Sequence, residues 1–189
     1  MRLFTALWPS AEAIEDLSAH VAELDGDRVA AATAGLRGFR FIPSARWHLT
    51  LCFHGDQADQ HGLAERLASG VAGAERTVPQ PPRLRLAGGG MFRGVLWAGV
   101  RPAGAADERA LAALVRAAGG DPREHRAHLT VARWSAGRAD RALLVDLLEG
   151  YAGPWWTADE LDLVRSDQHQ RGPEYVTVHR VPVAGGGSG

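Results

Sequence analysis

A short motif occurs twice in the chain, as HLTLCF at residues 48–53 and as HLTVAR at residues 128–133. In a β-strand successive side chains point to opposite faces, so each copy would place its His and Thr on one face and its apolar residues on the other. A single His-x-Thr carries little information, because both residue types are common. Two copies within apolar runs indicate a repeated unit. We therefore expect the chain to bring the two strands together around one cleft.

The segments around the two motifs follow the same order in each half of the chain: a strand, a helix, the motif strand and a second helix. Short strands joined by tight turns favour antiparallel sheets over a parallel one. We predict an α+β fold with two lobes related by a pseudo-twofold axis, in which mainly antiparallel sheets line a central cleft and helices lie outside. The predicted helices lie at about 10–24, 58–71, 105–118 and 139–149, with loop over 26–38 and closing strands near 155–165 and 175–182.

Composition limits the class of protein. A length of 189 residues suits one bilobal domain over residues 1–184, followed by a flexible Gly/Ser tail at 185–189. No apolar run approaches the roughly 20 residues that cross a bilayer, and no apolar signal segment opens the chain, so we expect a cytoplasmic protein without a membrane partner. The net charge of −1 argues against non-specific coating of nucleic acid but allows a local basic site.

The residues on the polar face of the two motifs fit acid–base chemistry at phosphorus. His48 and His128 titrate near neutral pH, so one can act as a general base while the other acts as a general acid. The hydroxyls of Thr50 and Thr130 can donate hydrogen bonds to the non-bridging oxygens of a phosphoryl group. In an in-line displacement the attacking and leaving oxygens lie on opposite sides of phosphorus, so a pseudo-twofold site gives each of them a His.

Other chemistries find little support in the sequence. A metal site is the competing use of the two histidines, but there is no His-Glu-x-x-His and no Cys cluster, and we predict neither a metal nor another cofactor. No Gly-x-Ser-x-Gly elbow or phosphate-binding P-loop is present. The single cysteine, Cys52, excludes an internal disulfide. Alternation puts it on the face of His48, so a nucleophilic role competes with the commoner role of a small buried hydrophobe.

The two motifs resemble the paired signatures of the two-histidine (2H) phosphoesterases, and most closely those of the RNA 2′,3′-cyclic phosphodiesterase branch, also called 2′-5′ RNA ligase (ThpR/LigT). Residues 2–7 (RLFTAL), 163–166 (LVRS) and 172–175 (GPEY) resemble the same branch. The resemblance implies a bilobal fold and metal-free opening of a 2′,3′-cyclic phosphate to a 2′-phosphate. It also implies His48 as the acid, His128 as the base, and Thr50 and Thr130 as phosphate binders.

Three residues that follow the His-x-Thr triplets differ from the family or from simple alternation. His54 stands where that family usually has Leu, and Cys52 stands where it commonly has a larger residue. Simple alternation puts both on the cleft face. Arg133 matches an Arg of the family, but alternation puts it on the face opposite His128, so it is either a ligand contact or part of a structural ion pair.

Some residues outside the motifs are weaker candidates. His125 is expected to be a solvated loop residue. Phe39, Phe41 or Trp134 could stack on a base. Five further arginines could ring the cleft and attract RNA, although solvated charge is the default for each: Arg37, Arg40, Arg46, Arg123 and Arg126.

Several functions stay open at this point. The first is a phosphodiesterase acting on RNA 3′ ends or nucleotides that carry a 2′,3′-cyclic phosphate. The second is a 2′-5′ RNA ligase or a phosphodiesterase for a small cyclic nucleotide such as ADP-ribose cyclic phosphate. The third is a non-catalytic module that binds RNA ends. We expect a monomer with no obligate protein partner.

Overall fold

The computed structural model describes residues 2–56, 59–76, 80–169 and 172–183, so the expected tail at 185–189 lies outside the described residues. The helices are α1 (Ala11–Ala22), α2 (Gly26–Thr33), α3 (Gln60–Glu75), α4 (Ala105–Ala117) and α5 (Arg141–Asp146). The strands are β1 (Arg2–Leu7), β2 (Leu36–Arg37), β3 (Arg40–Phe41), β4 (Leu49–Gly55), β5 (Arg83–Phe92), β6 (Val95–Pro102), β7 (His128–Arg133), β8 (Ala136–Gly137), β9 (Ala152–Thr157), β10 (Glu160–His169) and β11 (Gly172–Pro182).

Nine of these strands form one antiparallel sheet in the order β11-β10-β1-β4-β7-β6-β5-β9, with β3 pairing beside β7. The two motif strands, β4 and β7, lie at its centre, and the sheet pairs them at one position, Leu49 opposite Leu129. Strands β1, β10 and β11 complete the half that contains β4, while β6, β5 and β9 complete the other half. The predicted α+β fold with antiparallel strands around a cleft is confirmed, and its two lobes are halves of one curled sheet.

The apolar face of the sheet packs against the helices. Leu49, Leu51, Leu129 and Val131, the apolar residues of the two motifs, are buried as the alternation predicts. Burying each of these side chains contributes roughly 1.5–3 kcal/mol relative to exposure. The helical residues in the same cluster include Leu17, Leu67, Leu114 and Leu144. None of the described helices is long and apolar enough to cross a lipid bilayer.

The loop prediction for residues 26–38 is wrong over its first part, where α2 forms. The Asp25 side chain accepts a hydrogen bond from the backbone N–H of Arg28 at 2.9 Å and so caps the helix. The guanidinium of Arg28 pairs with Asp146 of α5 at 2.7 Å, and Ala32 is buried. A short helix that begins at Gly26 offers too few turns for an apolar period to be recognised.

The single strand predicted near 155–165 is also wrong. The chain forms β9 and β10 there, at opposite halves of the sheet, with a crossover at Ala158 and Asp159. The backbone N–H of Ala158 donates to the carbonyl of Pro82 at 2.9 Å, and the carbonyl of Asp159 accepts from Val183 at 2.6 Å. No Gly or Pro marks the crossover, so the sequence pattern shows no break.

Candidate active site

The concave face of the sheet opens into a cleft of about 990 Å³. All five predicted site residues line it: His48, Thr50, His128, Thr130 and Arg133. Antiparallel counting from the central pair of β4 and β7 sets His48 opposite Thr130 and Thr50 opposite His128. The structure therefore brings the two motifs together in one cleft on antiparallel strands, in a pseudo-twofold arrangement.

The same backbone hydrogen bond orients both histidines. Nδ1 of His48 donates to the carbonyl of Arg46 at 2.8 Å, and Nδ1 of His128 donates to the carbonyl of Arg126 at 2.6 Å. A carbonyl oxygen only accepts, so each Nδ1 carries a hydrogen and each neutral ring keeps its lone pair on Nε2. No hydrogen bond joins either Nε2 to another described residue. Both Nε2 atoms can therefore exchange a proton with a ligand.

Aromatic rings enclose His48 on several sides. Phe4 stacks on it with a centroid distance of 4.9 Å and an interplanar angle of 26°, and Trp8 and Tyr175 contact it at 5.2 and 5.1 Å. Burial among these rings lowers the pKa of His48 to about 4, although its hydrogen bond to Arg46 acts in the opposite direction. The His48 ring is consequently neutral at pH 7 in the unliganded protein.

The surroundings of His128 are more open. The edge of Phe92 meets its ring at 5.0 Å, and Trp97 lies 6.0 Å away. Burial lowers the pKa of His128, the hydrogen bond to Arg126 opposes that shift, and the charges of His125 and Arg133 add to it. Each ring thus makes the same type of backbone hydrogen bond, but apolar groups enclose His48 more closely than His128.

A β-bulge decides where Arg133 points. Thr130 and Ala132 pair with adjacent residues of β6, so Val131 is an extra residue in β7. Val131 and Ala132 are both buried, and Arg133 returns to the cleft. The alternation argument that put Arg133 on the opposite face is wrong, because an extra residue inverts the alternation beyond it. No described carboxylate forms an ion pair with Arg133, so its charge is available to an anion in the cleft.

Strand β4 carries a matching bulge at Leu51. Cys52 therefore packs against the core cluster, where burial raises the pKa of its thiol, and it does not line the cleft. Phe53 takes the position equivalent to Arg133, lines the cleft and is 74% exposed. The expectation that Cys52 faces the cleft is wrong for the same reason as for Arg133, and a nucleophilic role loses its geometric basis.

His54 is a structural residue. The bulge at Leu51 puts Phe53 in the cleft and His54 on the opposite face, so the expectation that His54 faces the cleft is wrong. Its Nε2 hydrogen-bonds with Oγ1 of the buried Thr5 at 2.8 Å. His54 thus provides a partner for a hydroxyl that would otherwise be buried alone.

His125 joins the two halves of the site, so its expected role as a solvated residue is wrong. It is half-buried, and its Nε2 donates to the carbonyl of Thr50 at 2.9 Å. Strands β4 and β7 diverge beyond their single pair, which leaves backbone groups of both without a ladder partner. On β7 the carbonyl of Val131 accepts from the backbone N–H of Ile42 at 2.8 Å. On β4 the carbonyl of Thr50 instead accepts from the ring of His125.

The other candidates divide between the cleft and the rest of the surface. Arg40, Arg46 and Phe41 line the cleft, whereas Phe39 and Trp134 do not. Neither do Arg37, Arg123 and Arg126, although the backbone of Arg126 positions His128. The sequence reasoning missed Phe4, Phe53 and Phe92. Phe53 could have been found from the sequence, because it lies as many residues after His48 as Arg133 lies after His128.

Among the described residues, no group of three or more His, Cys, Asp and Glu side chains could hold a metal ion. The prediction of a metal-free site stays a prediction.

A model of the 2′-5′ RNA ligase superfamily matches residues 15–170. The chain belongs to this superfamily. Its fold is similar to that of E. coli LigT complexed with 3′-AMP, with 20% identity, a TM-score of 0.65 and coverage of 97% of this chain and 98% of LigT. For LigT in its apo form the identity is 21% and the TM-score 0.66, at the same coverage of 97% and 98%. TT0787 of Thermus thermophilus is 24% identical with a TM-score of 0.61, over 98% of this chain and 100% of that one. No protein with a curated description matches the sequence.

Proposed function

We propose that this protein is a metal-independent RNA 2′,3′-cyclic phosphodiesterase that opens a 2′,3′-cyclic phosphate end to a 2′-phosphate. The observation that carries the proposal is the pair of His-x-Thr strands around one cleft, with both Nδ1 atoms tethered to the backbone and both Nε2 atoms unpaired among the described residues. An acid and a base on opposite sides of one small group are what in-line displacement requires. E. coli LigT has been crystallised with 3′-AMP, ATP and NADP+, and a nucleotide in the related cleft of this chain is consistent with that.

In the proposed reaction a water oxygen attacks phosphorus while one histidine takes a proton from that water. The P–O3′ bond breaks, and the other histidine gives its proton to O3′, which leaves the phosphate on O2′. The family resemblance assigns the acid to His48 and the base to His128. Thr50 and Thr130 would donate hydrogen bonds to the non-bridging oxygens, and Arg133 would neutralise charge that accumulates on them.

Binding of the substrate would raise the histidine pKa values that burial lowers in the free protein. Burial lowers the pKa of both histidines in the free protein, yet a general acid must be protonated. A phosphate anion within hydrogen-bonding distance favours the charged form of an imidazole and so raises its pKa. Because a charge on His128 lowers the pKa of His48, and the same repulsion acts in reverse, substrate binding would charge one ring while the other stays neutral.

Phe53 offers a surface for the base of the terminal nucleotide. Its ring is exposed inside the cleft, whereas Phe4 beside it is buried. An exposed ring on a strand next to an anion site can stack on any base, because every base has a π-face. The pseudo-twofold site would thus be asymmetric, with a cation for phosphate on one strand and a ring for the base on the other.

The deciding experiment incubates EDTA-treated protein with 2′,3′-cyclic AMP and with an oligonucleotide that ends in a 2′,3′-cyclic phosphate. We expect a 2′-phosphate product, and a loss of at least about 10³-fold in kcat/KM for His48→Ala and for His128→Ala. His61→Ala, which alters an exposed histidine on α3, is the matched control and should keep wild-type activity. Activity retained in both cleft variants, or a 3′-phosphate product, would contradict the proposal.

The superfamily name favours one second candidate, 2′-5′ RNA ligation. In that reaction a 5′-hydroxyl of a second RNA replaces water as the nucleophile, and the same acid and base serve. Adding a 5′-hydroxyl acceptor oligonucleotide to the assay distinguishes the two, because ligation gives a longer product with a 2′-5′ linkage. Turnover confined to a small cyclic nucleotide would favour the ADP-ribose-type alternative, and tight binding without turnover would favour a binding module.

A further inference from the structure

A single aromatic ring separates each histidine from a pocket outside the cleft. On the His128 side that ring is Phe92, which contacts His128 and also lines a pocket of about 340 Å³ between the turn joining β5 to β6 and the segment that leads into α5. This pocket contains Arg93, Arg141 and the largely buried Trp134. We refer to it as the basic pocket.

On the His48 side the separating ring is Trp8, which contacts His48 and lines a pocket of about 210 Å³. Its charged residues are three carboxylates and one guanidinium: Asp159, Glu160, Asp162 and Arg180. The guanidinium is already paired with Asp162 at 2.8 Å and with Glu160 at 3.2 Å. This acidic pocket therefore carries a net negative charge.

Basic and acidic side chains are distributed unevenly between these sites, although the chain as a whole contains nearly equal numbers of each. The chain has 21 basic and 22 acidic residues, yet the described lining of the cleft contains four arginines and no carboxylate, and that of the basic pocket contains two arginines and no carboxylate. Arg141 donates to the backbone carbonyl of Met91 at 3.4 Å. Within the described part of the chain, neither Arg93 nor Arg141 has an ion-pair partner.

We propose that the RNA chain leaves the cleft on the His128 side. Arg93 and Arg141 in the basic pocket then bind the phosphodiester that joins the terminal nucleotide, which carries the cyclic phosphate, to the nucleotide before it. This inference rests on the proposed function and adds to it the path of the RNA chain and the two residues that bind its backbone. A polyanion that ran past Trp8 would meet the acidic pocket, where like charges repel the backbone phosphates. Past Phe92 it meets arginines that can each bind a phosphate with two N–H groups.

The proposal predicts that the basic pocket affects only substrates longer than a mononucleotide. A mononucleotide has no phosphodiester besides the cyclic one, so nothing of it lies beyond Phe92 and its turnover should not depend on Arg93 or Arg141. An oligonucleotide would gain affinity there, and the gain would weaken with salt because binding of phosphates by arginine releases counterions.

The test compares kcat/KM for 2′,3′-cyclic AMP and for a cyclic-phosphate-ended tetranucleotide in wild type, Arg93→Ala, Arg141→Ala and the double variant. Arg109→Ala, which removes an exposed arginine from α4, is the control for loss of one positive charge. We expect the double variant to raise KM for the tetranucleotide about 10-fold and to leave kcat/KM for 2′,3′-cyclic AMP within about 2-fold. The slope of log affinity against log salt should fall by about 0.7 for each phosphate that the variant no longer neutralises.

Equal effects on both substrates, or no effect on either, would overturn the inference. A wild-type protein that hydrolyses neither substrate would instead sink the proposed function. In that case fluorescence anisotropy with a labelled 2′-phosphate-ended tetranucleotide still decides the inference, because weaker binding by the double variant, and not by Arg109→Ala, is its direct consequence. Unchanged binding would overturn it.

Discussion

His48 and His128 share a backbone tether but differ in surroundings, and their roles can be separated chemically. A substrate whose leaving 3′-oxygen is replaced by sulfur needs no general acid, because a thiolate is a better leaving group than an alkoxide. We expect the 3′-thio cyclic phosphate to restore activity to the variant that lacks the acid, His48→Ala, by at least about 10²-fold relative to the oxygen substrate. His128→Ala should show no such rescue, and the reverse pattern would exchange the two assignments.

Phe53 provides a second test at the level of one residue. Stacking on a base is worth about 1–3 kcal/mol, which corresponds to roughly 5- to 150-fold in affinity. We expect Phe53→Leu to lower kcat/KM for 2′,3′-cyclic AMP about 10-fold and Phe53→Trp to preserve it. An abasic ribose 2′,3′-cyclic phosphate serves as the comparison substrate, and an equal loss on it would show that Phe53 acts on something other than the base.

The sequence predicted the residue types of the site better than their orientation. His48, Thr50, His128 and Thr130 follow from a repeated motif, and the repeat is visible without any structure. Arg133 could be identified only as a candidate, because alternation placed it on the wrong face. The bulges at Leu51 and Val131 invert the alternation of the residues that follow them, and no residue type in either strand indicates a bulge.

At the scale of elements, the site depends on how β4 and β7 separate after one backbone pair. Strand β3 covers the exposed backbone of β7, whereas the His125 ring covers that of β4. The segment that carries His125 also supplies the Arg126 carbonyl to which His128 is tethered. His125 is therefore a positioning residue that holds this segment against the strand carrying Thr50.

This role of His125 predicts a difference between two substitutions. His125→Ala removes the donor to Thr50 and should lower kcat about 10-fold with a smaller change in KM, because the His128 ring loses its alignment. His125→Gln keeps an N–H donor on a side chain of similar reach and should retain more of the activity. Since the charge of His125 lowers the pKa of His128, both variants should raise that pKa in an NMR titration. An equal loss of kcat in both variants, or no loss in either, would contradict the assignment.

For the whole molecule, burial of His48 makes stability depend on pH. Its pKa is lowered to about 4 in the folded protein from 6.5, so between those values the unfolded chain binds a proton that the folded protein does not. The stabilisation is fully present above pH 6.5 and is lost as pH falls towards 4, at up to about 1.4 kcal/mol per pH unit. Urea unfolding from about pH 7 to about pH 4.5 should show a steeper decline for wild type than for His48→Gln.

His61→Gln is the matched control for this measurement, because His61 is exposed on α3. Its free energy of unfolding should follow the wild-type pH dependence. Carboxylates titrate in the same range in all three proteins, so the difference between the curves reports His48. Parallel curves for wild type and His48→Gln would show that His48 binds its proton as readily in the folded as in the unfolded state.

The order of the strands also has a consequence for synthesis. The half of the sheet that contains β7 comprises β5, β6, β7 and β9, which lie within residues 83–157 and can pair as the nascent chain emerges. The other half is closed by β10 and β11, which follow these strands in the chain, although β1 precedes them. Without β10, β1 would lack its partner on that side, and the buried Leu3 and Phe4 would lie beside an unpaired strand edge. The wall of the cleft that encloses His48, which includes Tyr175 of β11, can therefore form only after the other half of the sheet has been synthesised.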